Sequence, residues 1–161
     1  MSKGVVQIYY GEGHGKSTAA IGNAIRAAAE GKSVVIIQFL KGKNEKALRF
    51  LSRLEPEIKV FRFEKSSERF DKLSESEKQE EIMNLRNGFH YGKKVVTTSA
   101  CDMLILDEVL GIIDEKVISP AEMLEMFAGK PEDMTVICTG RVLDEEIRIH
   151  ADEIYNIAPE K

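Results

Sequence analysis

An α/β fold of about six mostly parallel strands, with helices on both faces of the sheet, is predicted by three features of this sequence. Short β-rich apolar runs recur along the chain. Stretches of helical periodicity separate most of them. Several runs are apolar at consecutive positions, as strands buried on both faces should be. At 161 residues the chain suits a single domain over 1–161, long enough to bury roughly 70% of the surface its unfolded form exposes.

The strands are expected at about 4–10 (GVVQIYY), 33–40 (SVVIIQFL), 58–63 (IKVFRF), 102–109 (DMLILDEV), 133–139 (DMTVICT) and 153–158 (EIYNIA). The first helix, about 16–30, carries Ala20, Ile21, Ala24, Ile25 and Ala28 on one face and stops at Gly31, a residue suited to a left-handed C-terminal position. Ser74 and Glu77 have capping-box spacing and open a long helix over 74–98, with Ile82, Leu85, Phe89 and Val96 at helical intervals. Ser119, Pro120 and Glu122 supply an N-cap, a proline at the first helical position and the capping-box acid. Ile118 and Met123 can staple that helix, which should end at Gly129. The segment from Glu64 to Glu81 is rich in charge and serine around Phe70 and Leu73, and reads as a solvated loop and helix start or as a lid over a ligand.

Composition narrows the class of function. Hydrophobic residues are 43% and charged residues 31%, as in soluble globular proteins. No apolar run approaches the roughly 18–20 residues of a membrane span, and MSKGVVQ lacks the apolar region of a signal peptide, so a cytoplasmic protein without a membrane partner is expected. Cys101 and Cys138 border apolar runs and read as buried free thiols. A formal net charge of -4 argues against a general nucleic-acid surface, so a polyanionic ligand must be attracted by local positive charge.

That local charge is offered by YYGEGHGKSTAA, residues 9–20, between a strand and a helix. Glycines at 11, 13 and 15 permit positive φ and keep side chains out of the way, so that backbone N–H groups can converge on a phosphate. The helix N-terminus alone contributes about 0.3–1 kcal/mol at an exposed site. Lys16 adds a full cation for the distal phosphates, and Ser17 a hydroxyl for a phosphate-bridging Mg²⁺. Tyr10 occupies the place of the first glycine in a strict Walker A string, while the Gly15-Lys16-Ser17 core is intact. These features make the predicted fold P-loop NTPase-like. Expected nucleotide contacts are Gly11, Glu12, Gly13, His14, Gly15, Lys16, Ser17 and Thr18.

Two further strands end in polar residues where parallel α/β proteins bind ligands. MLILDEV delivers Asp107 and Glu108, which can position Mg²⁺ or its water beside Ser17, or simply form a solvated turn. VICTGR delivers Arg141, as a phosphate contact or a surface arginine. His90 and His150 fall in helical stretches and read as surface or packing residues. The loop does not say which bond of a nucleotide is broken. A small phosphohydrolase or kinase activity and a regulatory or carrier protein binding ATP without turnover both remain open on these residues alone.

YGEGHGKSTAA, VVIIQFLKG, MLILDEV and TVICTGRVLDEEIRIHADEIY, taken together over about residues 5–157, resemble the P-loop corrinoid adenosyltransferases. The resemblance implies that a Co(I) corrinoid attacks the 5′ carbon of ATP and expels triphosphate. It also implies a nucleotide lying across the loop in the reverse of the usual sense and, by analogy with related enzymes, a homodimer. Lys16, and Mg²⁺ held by Ser17 and Glu108, can stabilise charge growing on a departing triphosphate, which makes Lys16 and Glu108 the candidate catalytic groups. The sequence departs from the family pattern at His14, where the family has lysine, and at EKSSERFDKLSE, which replaces an aromatic F-x-W stretch in a chain with no tryptophan. It ends at NIAPEK, where the family pattern runs on into a basic and aromatic tail. Phe70 is the candidate corrinoid contact.

Overall fold

The computed structural model describes residues 3–40, 45–66 and 68–161. Lys41 and Gly42 of the QFLKG segment lie outside them. Among the described residues six strands form one parallel sheet: β1 (Val6–Tyr10), β2 (Val34–Gln38), β3 (Ile58–Arg62), β4 (Met103–Asp107), β5 (Thr135–Gly140) and β6 (Glu153–Asn156), in the order β3-β2-β4-β5-β1-β6. All six lie within or beside the runs expected from the sequence, and the fold is α/β and P-loop NTPase-like.

Alternation within the strands accounts for the consecutive apolar runs. Val34 and Ile36 of β2 pack on one face with Ile105 of β4 and Ile137 of β5, against Ala20, Ala24 and Ala27 of α1 (Lys16–Ala29). Val35 and Ile37 point the other way, into the larger core with Leu104, Leu106, Val136 and Cys138. That core is closed by α3 (Glu75–Thr97), α4 (Val109–Asp114), α5 (Pro120–Ala128) and α6 (Glu145–His150). The remaining helix, α2 (Glu45–Leu51), contributes Leu51 to the α1 face. Among the described residues no helix is long and apolar enough to cross a membrane. Cys101 and Cys138 are buried free thiols, and burial pushes the Cys101 thiol up to about 11.

Local signals set the helix ends. Ser74 Oγ accepts from Glu77 N–H at 3.3 Å, and Glu77 in turn accepts from Ser74 N–H at 3.2 Å. The same reciprocal box joins Ser119 and Glu122 at 3.1 and 2.8 Å, with Ile118 and Met123 both buried beneath it. Gly31 adopts φ 85° just after α1.

Three expectations are corrected. The fourth strand stops at Asp107 instead of running to 109, because Glu108 turns the chain at φ 62° and Val109 opens α4. On α1 the buried face is Ala20, Ala24 and Ala27, while Ile25 is 49% exposed, since a face of alanines lets the helix approach the sheet closely. Glu81, assigned to a solvated stretch, is buried on α3.

Candidate active site

Parallel pairing brings the C-terminal ends of β2, β4, β5 and β1 into one row, with Gln38 opposite Asp107 and Tyr10 opposite Gly140. The chain leaves β1 toward β2 on one side and reaches β6 on the other, so a crevice opens above this row where ligands of such sheets bind.

The floor of the crevice is a network around Asp107, which is buried. Asp107 Oδ1 accepts from Ser17 Oγ at 2.7 Å and from Thr139 Oγ1 at 2.8 Å, and Oδ2 accepts a longer bond from Gln38 Nε2 at 3.5 Å. Thr139 Oγ1 also accepts from Glu108 N–H at 2.9 Å, fixing the turn that follows β4. Ser17 and Asp107, 90 positions apart, are thus in direct contact. Gln38 lies in VVIIQFLKG and Thr139 in VICTGR, but neither stretch assigns that residue a role at the site. Their signal is a polar residue at the end of an otherwise apolar strand, in VVIIQ and VICTG.

The glycine loop is braced from two sides. Gly11 (φ 127°) and Gly15 (φ 107°) need the left-handed freedom of glycine. Gly13 does not adopt positive φ, which corrects the expectation for it. It is required by close approach instead, since a Cβ there would stand 2.8 Å from Ile157 O. Gly13 N–H donates to that carbonyl at 2.8 Å, and Gly11 N–H is shared between the carbonyls of Gly140 and Arg141 at 3.2 Å each. Both amides therefore serve the loop's own architecture. The amides that converge at the helix start are those of Lys16, Ser17 and Thr18, which precede the first intrahelical bond, Ala19 N–H to Gly15 O at 2.8 Å. Lys16 Nζ donates to Gly11 O at 2.7 Å and Gly13 O at 2.9 Å, holding its charge over the loop.

A cleft of about 430 Å³ reaches this network through Lys16 and Glu108, the sequence neighbours of Ser17 and Asp107, and Arg141 and Phe70 line it with them. Arg69 and Asp71, paired at 3.2 Å, flank Phe70 on the same wall. Burial, and then the neighbouring Asp107 carboxylate, hold the Glu108 carboxyl above the usual glutamate value, against the opposing pull of Lys16 and Arg141. Glu12 and Arg141 are both exposed and approach to 3.6 Å, so their pairing is worth little. His14 and Thr18 are exposed, one on the loop and the other on the first turn of α1. His90 is exposed on α3, and His150, also exposed, ends α6 with Nδ1 2.8 Å from Glu146 O.

A family model described as ATP:corrinoid adenosyltransferase BtuR/CobO/CobP matches residues 2–161. The chain belongs to the ATP:corrinoid adenosyltransferase family. It is 30% identical over 159 residues to the corrinoid adenosyltransferase of Escherichia coli strain K12, covering 99% of this chain and 79% of that one. It is 29% identical over the same length, with the same coverage, to the corrinoid adenosyltransferase CobA of Salmonella typhimurium. Among solved structures, a KaiC-like protein of Pyrococcus horikoshii OT3 superposes with a TM-score of 0.62 at 17% identity, covering 100% of this chain and 76% of the other. That likeness concerns the fold alone.

Proposed function

We propose that this chain transfers the 5′-deoxyadenosyl group of ATP to a Co(I) corrinoid and releases triphosphate. Its membership of the corrinoid adenosyltransferase family over residues 2–161 carries the proposal. In the reaction the cobalt electron pair forms a Co–C bond to the 5′ carbon, the C5′–O5′ bond breaks, and its electrons leave with the triphosphate.

The site chemistry supports that step. A departing triphosphate gathers negative charge, and fixed donors aimed at growing charge are the largest source of rate acceleration in many enzymes. In our reading the amides of Gly15, Lys16, Ser17 and Thr18 and the ammonium of Lys16 hold the phosphates, and Arg141 closes over them from β5. Gly11, Glu12, Gly13 and His14 form the rest of the nucleotide loop. Phe70 offers an apolar surface to the corrinoid across the cleft. The cobalt nucleophile is intrinsically reactive, so the protein's task is orientation, exclusion of water and charge stabilisation.

The floor also fits a hard cation. Ser17 Oγ, the Asp107 carboxylate and Gln38 Oε1, which is buried without a hydrogen-bond partner among the described residues, form an all-oxygen set. Magnesium takes few protein ligands and completes its shell with waters and phosphate oxygens. When bound, Mg²⁺ would neutralise phosphate charge. Ser17 and Asp107 would hold it, and Glu108 would orient a water beside it.

The reading is tested by incubating the protein with ATP, Mg²⁺ and chemically reduced cobalamin. Adenosylcobalamin and triphosphate should appear in equal amounts. ADP and phosphate without adenosylcobalamin would contradict it.

A further inference from the structure

Among the described residues the buried polar side chains are Gln38, Asp107, Thr139 and Glu81. The first three form the floor of the crevice. Glu81, only 3% exposed, stands apart on the second turn of α3 and has no place in the chemistry above. A buried carboxyl group is costly unless hydrogen bonds compensate it. Here Oε1 accepts from Ser66 N–H at 3.0 Å, Lys65 N–H at 3.1 Å and Asn84 Nδ2 at 3.2 Å, and Oε2 accepts from Lys65 N–H at 3.3 Å. Two successive backbone amides are thus gathered on one carboxyl group.

Those amides belong to the stretch that leaves the C-terminal end of β3, on the side of the sheet where the glycine loop lies. Beyond them the chain carries Arg69, Phe70 and Asp71 into the cleft. Leu73, buried, and the Ser74 capping box then fix the far end to α3. The wall is therefore held at both ends; at its start Phe63 packs on Tyr91 of α3, ring centroids 5.8 Å apart, and the hydrogen-bonded tie of the next residues to α3 runs through Glu81.

We infer that Glu81 is a positioning residue for the second substrate, setting where Phe70 and its neighbours stand in the cleft. The inference rests on the function proposed above, because it assigns this wall to the corrinoid. A merely structural Glu81 would change stability and the handling of both substrates together. A positioning Glu81 separates them, since Lys16, Ser17 and Asp107 lie on other elements.

The test is steady-state kinetics of Glu81→Ala and Glu81→Gln with ATP and chemically reduced cobalamin, together with amide hydrogen exchange at Lys65 and Ser66. In Glu81→Ala the KM for reduced cobalamin should rise about tenfold, the size of a lost buried acceptor. The KM for ATP should stay unchanged, and both amides should exchange faster. Glu81→Gln keeps one acceptor oxygen and should fall between wild type and Glu81→Ala. If Glu81→Ala does not fold, Glu81→Gln and Asn84→Ala carry the same comparison. Faster exchange with an unchanged cobalamin KM would overturn the inference, as would equal rises in both KM values. A wild-type protein that forms no adenosylcobalamin would overturn the proposed function and this inference with it, a result distinct from the other two.

Discussion

Lys16 and Glu108 face the same cleft under opposite electrostatic conditions. Lys16 is already tied to the carbonyls of Gly11 and Gly13, so its ammonium is pre-aimed across the loop. Lys16→Ala should weaken ATP affinity about 100-fold, in line with the loss of one charged partner from a desolvated pair. Equilibrium binding checks this, and wild-type affinity would show that the loop does not hold the phosphates. Glu108 is held above the ordinary carboxylate range by burial and by Asp107. A carboxyl group whose folded value is raised binds more protons in the folded than in the unfolded state. Stability is therefore lost as pH rises through the window between the ordinary glutamate value and the raised one, and above that window the deficit is constant. Glu108→Gln should accordingly raise the thermal midpoint at pH 7 relative to wild type, while turnover falls about 10- to 100-fold, the scale of losing a group that orients a metal-bound ligand. A lower midpoint at pH 7 would show that the Glu108 charge does not strain the fold. The left-handed backbone of Glu108 was not legible from DEV as a string, since a non-glycine residue adopts that region only when its surroundings impose it.

Elements differed in how openly the sequence declared them. The capping boxes at Ser74 and Ser119 were readable because both partners sit three residues apart and answer a local need, the unpaired amides of a helix start. Periodicity does not reveal the short helices α2, α4 and α6, because six or seven residues hold too few turns to show it. The exchange of Ile25 for Ala27 on the buried face of α1 has a different origin, in tertiary contact that is invisible until the sheet beneath is known. One contact between elements offers a sharp test. Gly140 ends β5 under α4, and a Cβ there would stand 2.3 Å from Leu110 Cβ and 3.2 Å from Leu110 Cα. Gly140→Ala must push α4, and with it the Glu108 turn, away from the floor. We expect a loss of about 1–3 kcal/mol in denaturant unfolding, the usual cost of overpacking, with a fall in adenosylation. Unchanged unfolding would mean that α4 yields without cost.

At the scale of the whole molecule, strand order is the quantity that local sequence does not encode. The runs of consecutive apolar residues announced strands covered on both faces, and the order β3-β2-β4-β5-β1-β6 then decided which strand ends share a crevice. Asp107 and Ser17 could each be given a role from a short motif, whereas Gln38 and Thr139, though polar ends of apolar strands, gained one only when pairing placed β2 and β5 on either side of Asp107. The cleft likewise unites Phe70 with Lys16 and Glu108 across distant parts of the chain. None of this geometry names the bond that breaks, because the same donors suit a departing triphosphate and a transferring phosphoryl group alike. The most direct measurement follows the oxygen between the 5′ carbon and the α-phosphorus. With ATP carrying ¹⁸O at that bridging position, Mg²⁺ and chemically reduced cobalamin, the label should be recovered in triphosphate, with adenosylcobalamin formed in equal amount. Recovery of the label in ADP, with phosphate released and no adenosylcobalamin, would contradict the account.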